Sequence, residues 1–360
     1  MVRIVKRTDL TGTQSVVFRV VAVILALISS GAFIYILGHN PVEVYTSMLK
    51  GAFGSKYKIL ETIKLVIPLV ITSLGIAVAF RMKFWNIGAE GQILMGAFCA
   101  SFFALKFPDM PKPLLLTVML IAGVIGGGIW GAIPAFFKAN FGTNETLFTL
   151  MMNYIAIKWI TYLQYGPWKD PKANNFPKIP NFSDNAVLPK LLGVHIGWVF
   201  ALLLIVVMYI FINHTKKGYE ISVIGESENT ARYAGMNVKN VIITAMFISG
   251  GLCGLTGMIQ ASAVSGTLAE TVSGGVGNTA IITTWLSQLN APVTLLVSLL
   301  FAILVQGGSY IQTAFQIPQS AAQILQGMIL FFVLGSEFFI QYKLVLSKGF
   351  GLIQVKKEGV

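Results

Sequence analysis

The residues with the most chemical potential lie in RMKFWNIGAEGQILMGAFCASFFA, residues 81–104, where Asn86, Glu90 and Gln92 open an otherwise apolar stretch. Carboxamides and a carboxylate at this spacing suit hydrogen bonding to a polar solute or handling of a proton. A carboxylate taken to mid-depth in a bilayer costs roughly 2.5–3.5 kcal/mol on insertion scales, so an acid there needs a partner or a task. Asn86 and Glu90 are four apart, which places them on one face of a helix beginning in this stretch. Two readings stand: Glu90 is hydrated at headgroup level or paired with Arg81 or Lys83, or it belongs to a solute pocket with Asn86 and Gln92. A second polar group lies at 264–289, whose SGGVGNTAIITTWLSQ offers Asn278, Thr283 and Thr284 to a solute. A third pair, Thr149 and Asn153, shares one face of another apolar stretch.

Other chemistry finds no support in the residue pattern. His39, His195 and His214 are scattered and have no ligand at helical spacing, so no metal site is expected. There are no paired acids and no nucleophile with a base, so no catalytic residues are expected. Cys99 and Cys253 fall within apolar runs and imply no disulfide framework. No G-x-x-x-x-G-K-[ST] loop is present. Gly275, Gly277 and Ala280 fit GxGxxA, yet no strand precedes them and no βαβ unit follows. No cofactor is expected.

The elements that position these residues follow from composition. Apolar residues make up 55% and charged residues 11%, against about 25% charged in soluble domains, and the mean hydropathy is +0.75. The expectation is an all-α polytopic membrane protein of about ten transmembrane helices with one broken or re-entrant segment. The net charge of +12 then reflects cytoplasmic loops and contact with membrane lipid, not nucleic acid.

In chain order, a cytoplasmic N-terminus at 1–15 carries Arg3, Lys6 and Arg7, and a single transmembrane domain is expected over 16–342. Spans are predicted at 16–37 and, after a loop with His39, Pro41 and Lys50, at 59–80, where Glu61 and Lys64 can pair. The 81–104 stretch is the third span and 114–137 the fourth. Its Gly123, Gly127 and Gly131 recur every four residues and allow another helix close approach. Asn144 and Glu145 suit the N-terminus of a fifth span. Residues 165–193, with five prolines, form an external loop, and a sixth span covers 194–212. The cytoplasmic loop 213–240 contains a short helix capped by Ser227, including Ala231 and Tyr233, and closed by Gly235. The seventh span, 241–263, has a close-packing face in Gly250, Gly254 and Gly257. Irregular backbone at 264–289 is tolerated only if buried or lining a cavity, so this is the broken segment. Spans at 293–312 and 320–341 lead to a basic cytoplasmic tail at 343–360.

NIGAEGQ at 86–92, followed by Gly96 and Ala97, resembles the permease subunits of bacterial nucleoside ABC importers within the ribose and branched-chain amino acid permease superfamily. Ala231, Arg232, Tyr233, Ala234 and Gly235 match the core of that superfamily's coupling loop, and the resemblance extends over about 60–340. It implies a membrane-spanning subunit that translocates a nucleoside, of purine or broad range, across the bacterial cytoplasmic membrane, with both termini cytoplasmic. It also implies an ABC ATPase subunit gripping a coupling loop of Gly225, Asn229, Ala231, Arg232, Tyr233 and Gly235. Further implied partners are a second permease subunit, identical or paralogous, and an extracytoplasmic solute-binding lipoprotein. The substrate path would use Asn86, Glu90, Gln92, Asn153, Asn278, Thr283 and Thr284. One departure matters: a family Gly-Tyr-Gly-Phe run is here Gly275, Val276, Gly277 and Asn278, with an amide replacing an aromatic near the path. The alternatives are an ABC permease for a simple sugar such as ribose and an ion-coupled secondary transporter with Glu90 as its coupling carboxylate.

Overall fold

The computed structural model describes residues 2–6, 12–173 and 176–346. Arg7, Lys348, Lys356 and Lys357, on which part of the topology expectation rests, lie outside the described residues. The chain divides into two compact units, one of residues 1–47 with 308–360 and one of residues 48–307.

In the first unit, helix α1 (Gly12–Ile36) packs on helix α13 (Gln319–Gln341). Strand β1 (Val2–Lys6) pairs antiparallel with strand β4 (Tyr342–Leu346). That pairing brings the start of α1 and the end of α13 to one side. The loop expected after the first span is instead largely helix α2 (Pro41–Phe53). Pro41 opens it where a missing N–H is harmless, and Asn40 Oδ1 accepts from Val42 N at 3.0 Å. The Tyr45 hydroxyl pins its first half to α1 by donating to the Leu27 carbonyl at 2.7 Å.

The second unit is built around helix α3 (Lys56–Arg81), whose residues from Val66 to Phe80 are all buried. A helix apolar on all sides belongs in an interior. Glu61 and Lys64 pair near its start at 2.6 Å. Helix α4 (Ala89–Lys106), helix α5 (Lys112–Phe141) and helix α10 (Val238–Ile259) form the densest packing. The two glycine stripes meet there. A Cβ at Gly127 would lie 2.6 Å from Gly254 Cα, and one at Gly131 would lie 2.8 Å from the Met246 carbonyl oxygen. A Cβ at Gly257 would strike the Ile93 carbonyl of α4, so Gly257 serves a third helix.

Helix α6 (Glu145–Tyr165) starts as the sequence predicts. Asn144 Oδ1 accepts from Leu147 N at 3.1 Å, and Glu145 pairs with Lys138 at 2.8 Å. Helix α7 (Gly197–His214) follows a hairpin of β2 (Lys190–Leu191) and β3 (Val194–His195). After α10 the backbone widens into a π stretch (Gln260–Ser265), then an irregular run leads to the short helix α11 (Val276–Leu286). Helix α12 (Ala291–Phe315) completes the series. Among the described residues, seven helices are long and apolar enough to cross a membrane: α1, α3, α5, α7, α10 with its π continuation, α12 and α13. The other three elements of the ten-crossing expectation, α4, α6 and the segment ending in α11, are the ones that carry its polar groups.

Candidate functional site

The polar centre begins where α3 ends. Met82 and Phe84 turn inward and are buried, and Lys83 between them takes a left-handed conformation with φ 58°. The chain reverses, and α4 starts only at Ala89. Asn86 therefore lies in the turn before the helix and does not share a helical face with Glu90. Its Oδ1 accepts from Gly88 N at 3.1 Å, a local turn that replaces helical bonding at this point.

Asn86 and Gln92 form a reciprocal amide pair. Asn86 Nδ2 donates to Gln92 Oε1 at 3.1 Å, and Gln92 Nε2 donates to Asn86 Oδ1 at 3.0 Å. Asn86 Nδ2 also donates to Ser249 Oγ of α10 at 3.1 Å. From α6, Asn153 Oδ1 accepts from Gly91 N at 2.7 Å and its Nδ2 donates to the Ile87 carbonyl at 2.8 Å. All three amides are buried. They strap the 85–91 turn to α6 and α10, so in this conformation their hydrogen-bonding capacity serves the protein and not a solute.

Glu90 is buried rather than hydrated, and among the described residues it makes no ion pair with Arg81 or Lys83. Its Oε1 accepts from Gly275 N at 3.1 Å and its Oε2 from Gly277 N at 2.7 Å. The carboxylate thus caps the first turn of α11, where unpaired backbone N–H groups and the helix dipole favour negative charge. Glycine is required at both positions. Gly275 has φ 75°, and a Cβ at Gly277 would lie 2.5 Å from Glu90 Oε2. Arg81 points elsewhere, its Nε donating to Ser222 Oγ at 3.0 Å.

The far side of α11 is fastened to α3. Thr284 Oγ1 donates to the Ser73 carbonyl at 3.1 Å and the Ala280 carbonyl at 2.6 Å, while the Thr283 and Ser73 hydroxyls bond to each other. Both threonines are fully buried, which corrects the expectation that they are available to a solute: the helix turns that face toward α3. Asn278 lies on the other face and is exposed, as are Glu270 and Thr271 of the preceding run. Glu270 was not singled out by the sequence, although an acid in a Ser/Thr/Gly-rich run is a signal. It ties that run to α6, Thr161 Oγ1 donating to its Oε2 at 2.6 Å.

On one side of the unit, the proline-rich loop folds over the π stretch. Phe182 N donates to the Gly266 carbonyl at 2.8 Å and Leu188 N to Ser262 Oγ at 3.1 Å. On the other side lie α8 (Lys216–Glu226) and α9 (Glu228–Tyr233). Ser227 caps α9 by accepting from Thr230 N at 3.2 Å, and Gly235 ends it with φ 75°. Arg232 pairs with Glu228 at 2.6 Å on the exposed face, and Tyr233 is 94% exposed. Asn229 is exposed too. Gly225 and Ala231 differ. Ala231 is fully buried, and a Cβ on Gly225 would strike the Arg81 carbonyl. These two seat the helices on the protein and are not part of the projecting surface.

Residues 58–334 match the family described as branched-chain amino acid transport system, permease component. A glucose ABC transporter permease of Haloferax volcanii is 30% identical over 341 residues, covering 91% of this chain and 89% of its own. A guanosine ABC transporter permease of Bacillus subtilis is 31% identical, with coverage of 88% and 92%. A nucleoside ABC transporter permease of Lactococcus lactis is 28% identical, with coverage of 96% and 98%.

Proposed function

We propose, from the premise that this chain belongs to the branched-chain amino acid transport system permease family, that the solute it passes is a nucleoside. As a member of that family it is a membrane transport subunit and not an enzyme. Its working partners are an ATPase subunit and a solute-binding protein. In our reading α9 is the surface the ATPase grips, a second permease completes the path, and 165–193 faces outward in a bacterial cytoplasmic membrane with both termini inside.

The observation that carries this reading is the state of Glu90. An ion-coupled carrier needs an acid free to exchange a proton or cation, whereas both oxygens of Glu90 hold the backbone of α11. Motion driven from α9 can instead be transmitted by shifting α11, with the carboxylate holding its end. The nucleoside follows from the guanosine and nucleoside permeases among the relatives, with coverage near nine-tenths on both sides. Glucose is the second reading, since a relative of similar identity is named for it. Asn278, exposed on α11, offers an amide suited to either a base edge or hydroxyls.

The deciding experiment reconstitutes the permease with its ATPase and solute-binding protein and follows labelled guanosine and glucose. ATP-dependent guanosine uptake is expected. Glucose uptake without guanosine uptake overturns the nucleoside reading, and uptake that follows a proton or sodium gradient without ATP overturns ATP coupling. Arg232→Glu and Gly235→Val are expected to abolish ATPase co-purification and uptake, and retention of both functions removes α9 as the dock. Cysteines at Lys172 and Asn229, probed with an impermeant reagent, test sidedness: only the first should label from outside. Asn175, a natural site for that probe, lies outside the described residues.

A further inference from the structure

The cavity beside α9 has features that ATPase docking does not use. It measures about 790 Å³ and lies between the end of α3, the α8–α9 corner and the end of α11. Its wall includes Arg81, Lys83, Glu226, Thr230, Trp285 and Gln288. Two cations flank an aromatic platform: Trp285 lies 5.4 Å from Trp85 and 5.6 Å from Phe80 between ring centroids. Both tryptophans are about two-fifths exposed, at 44% and 40%. Five non-glycine residues in the described chain have positive φ, and three of them line this cavity: Lys83 at 58°, Gln288 at 53° and Leu289 at 59°. Backbone held in such conformations concentrates at ligand clamps and switches.

The geometry points to a binding site for a nucleoside monophosphate, occupied from the same side as α9. The volume lies in the range of small-molecule pockets. Lys83 and Arg81 supply the charge-assisted contacts that a phosphate takes, and the Arg81 guanidinium is held in the wall by its bond to Ser222. Trp285 supplies a face on which a base stacks. Glu226 is the acid of the wall and accepts from ribose hydroxyls or a ring N–H, while neither inorganic phosphate nor a lipid headgroup has a base to stack on Trp285. The class of ligand rests on the nucleoside reading above: phosphorylation of an imported nucleoside gives a monophosphate that joins the base, ribose and phosphate this wall matches.

A ligand here touches α3, the α8–α9 corner and α11 together, and so opposes their relative movement. It acts as a brake on transport from the product side and leaves the Glu90 site untouched. Lys83 and Trp285 belong neither to the α11 fastening nor to the projecting face of α9, so their replacement tests the brake separately.

The test uses the complete transporter with its ATPase nucleotide sites filled by a non-hydrolysable ATP analogue, in neutral-lipid bilayers. Equilibrium dialysis with labelled guanosine monophosphate should show one further site per permease, weakened at least tenfold by Lys83→Gln and by Trp285→Ala. Co-elution with the ATPase checks that each variant assembles. Inorganic phosphate, or vesicles rich in anionic lipid, should compete poorly. In proteoliposomes, guanosine monophosphate on the α9 side should slow guanosine uptake several-fold, and both variants should escape this. The inference is overturned by no binding above the analogue-filled baseline, by undiminished binding in both variants, by phosphate or anionic lipid competing equally, or by binding without any slowing of transport. If guanosine monophosphate binds as described but guanosine is not carried and the solute that is carried is slowed, the nucleoside reading fails and the brake stands.

Discussion

Two regions of the second unit hold their helices together in opposite ways. Where α4, α5 and α10 meet, backbone lies on backbone: Gly96, Gly123 and Gly127 on one side face Gly250 and Gly254 on the other. Where α11 meets α3 and α4, backbone approaches backbone at one point, Gly277 over Glu90, and the rest of the join is a short set of polar bonds, two to Glu90 and the others among Ser73, Ala280, Thr283 and Thr284. The first kind of contact has one geometry and tolerates almost no displacement, because close-packed surfaces are not continuously deformable. The second can break and reform, each bond to a charged group contributing about 1.5–3 kcal/mol. On the reading proposed above, the glycine seam serves as the fixed frame of the transporter and α11 as the element that moves against it.

The sharpest way to break the comparison is to add one carbon to the frame. A Cβ at Gly254 would strike the Gly123 carbonyl and lie 2.9 Å from Gly127 Cα, both backbone atoms. Overpacking usually costs about 1–3 kcal/mol, and here neither side has a side chain to rotate away. Gly254→Val is expected to abolish monodisperse permease in detergent. A variant with a wild-type melting temperature means that the helices can part and the frame is not fixed.

At the α11 join the expected loss is functional. Glu90→Gln keeps one carbonyl acceptor but turns an NH2 group toward a backbone N–H. Loss of one charge-assisted bond, about 1.5–3 kcal/mol, corresponds to a fall in uptake of about 10- to 160-fold if it is felt wholly in the transport barrier. Membrane insertion and ATPase association should persist. If uptake is unchanged, Glu90 is only a counter-charge for the helix end. Loss of folding in place of transport would put α11 in the frame and erase the distinction between the two regions.

How much of this was legible in the sequence depended on distance along the chain. Ser227 and Gly235 were readable as cap and terminator because their partners lie within a few residues. The glycine stripes were readable from their spacing of four, though not that they face each other. The role of Glu90 was hidden for a physical reason: its partners are backbone N–H groups 185 and 187 positions away, which every residue but proline possesses. Asn86 was misplaced onto the helix because Gly88 ends the turn without disturbing apolar periodicity. Thr283 and Thr284 looked available because side-chain type does not say which face of a helix another helix covers. Helix α2 carried its own signals, Asn40 before Pro41 and Glu43 in the first turn, outweighed by its polar residues.

The smallest expected effect tests the seam between the two regions, where regular α10 ends at Ile259 and the π stretch begins. His195 sits there: a Cβ on Gly197 would lie 2.6 Å from His195 Nδ1 and 3.1 Å from Ile259 Cγ2. The residue is 3% exposed and, among the described residues, neither ring nitrogen has a hydrogen-bond partner. Burial, with the nearby Lys64 ammonium, pushes its pKa down to about 4. Folding therefore holds it neutral, while the unfolded chain takes up a proton near pH 6.5. This contribution is complete above about pH 6.5 and is lost as pH falls toward 4, at most about 3 kcal/mol from a shift of that size. The melting temperature of wild type should fall by a few degrees between pH 7 and 4.5, and His195→Phe should flatten that part of the profile. Transport at pH 7 should be nearly unchanged in the variant, because the neutral ring is there only a packed surface. An identical pH profile in both proteins means that His195 meets solvent in the working protein, and that the frame ends before Ile259.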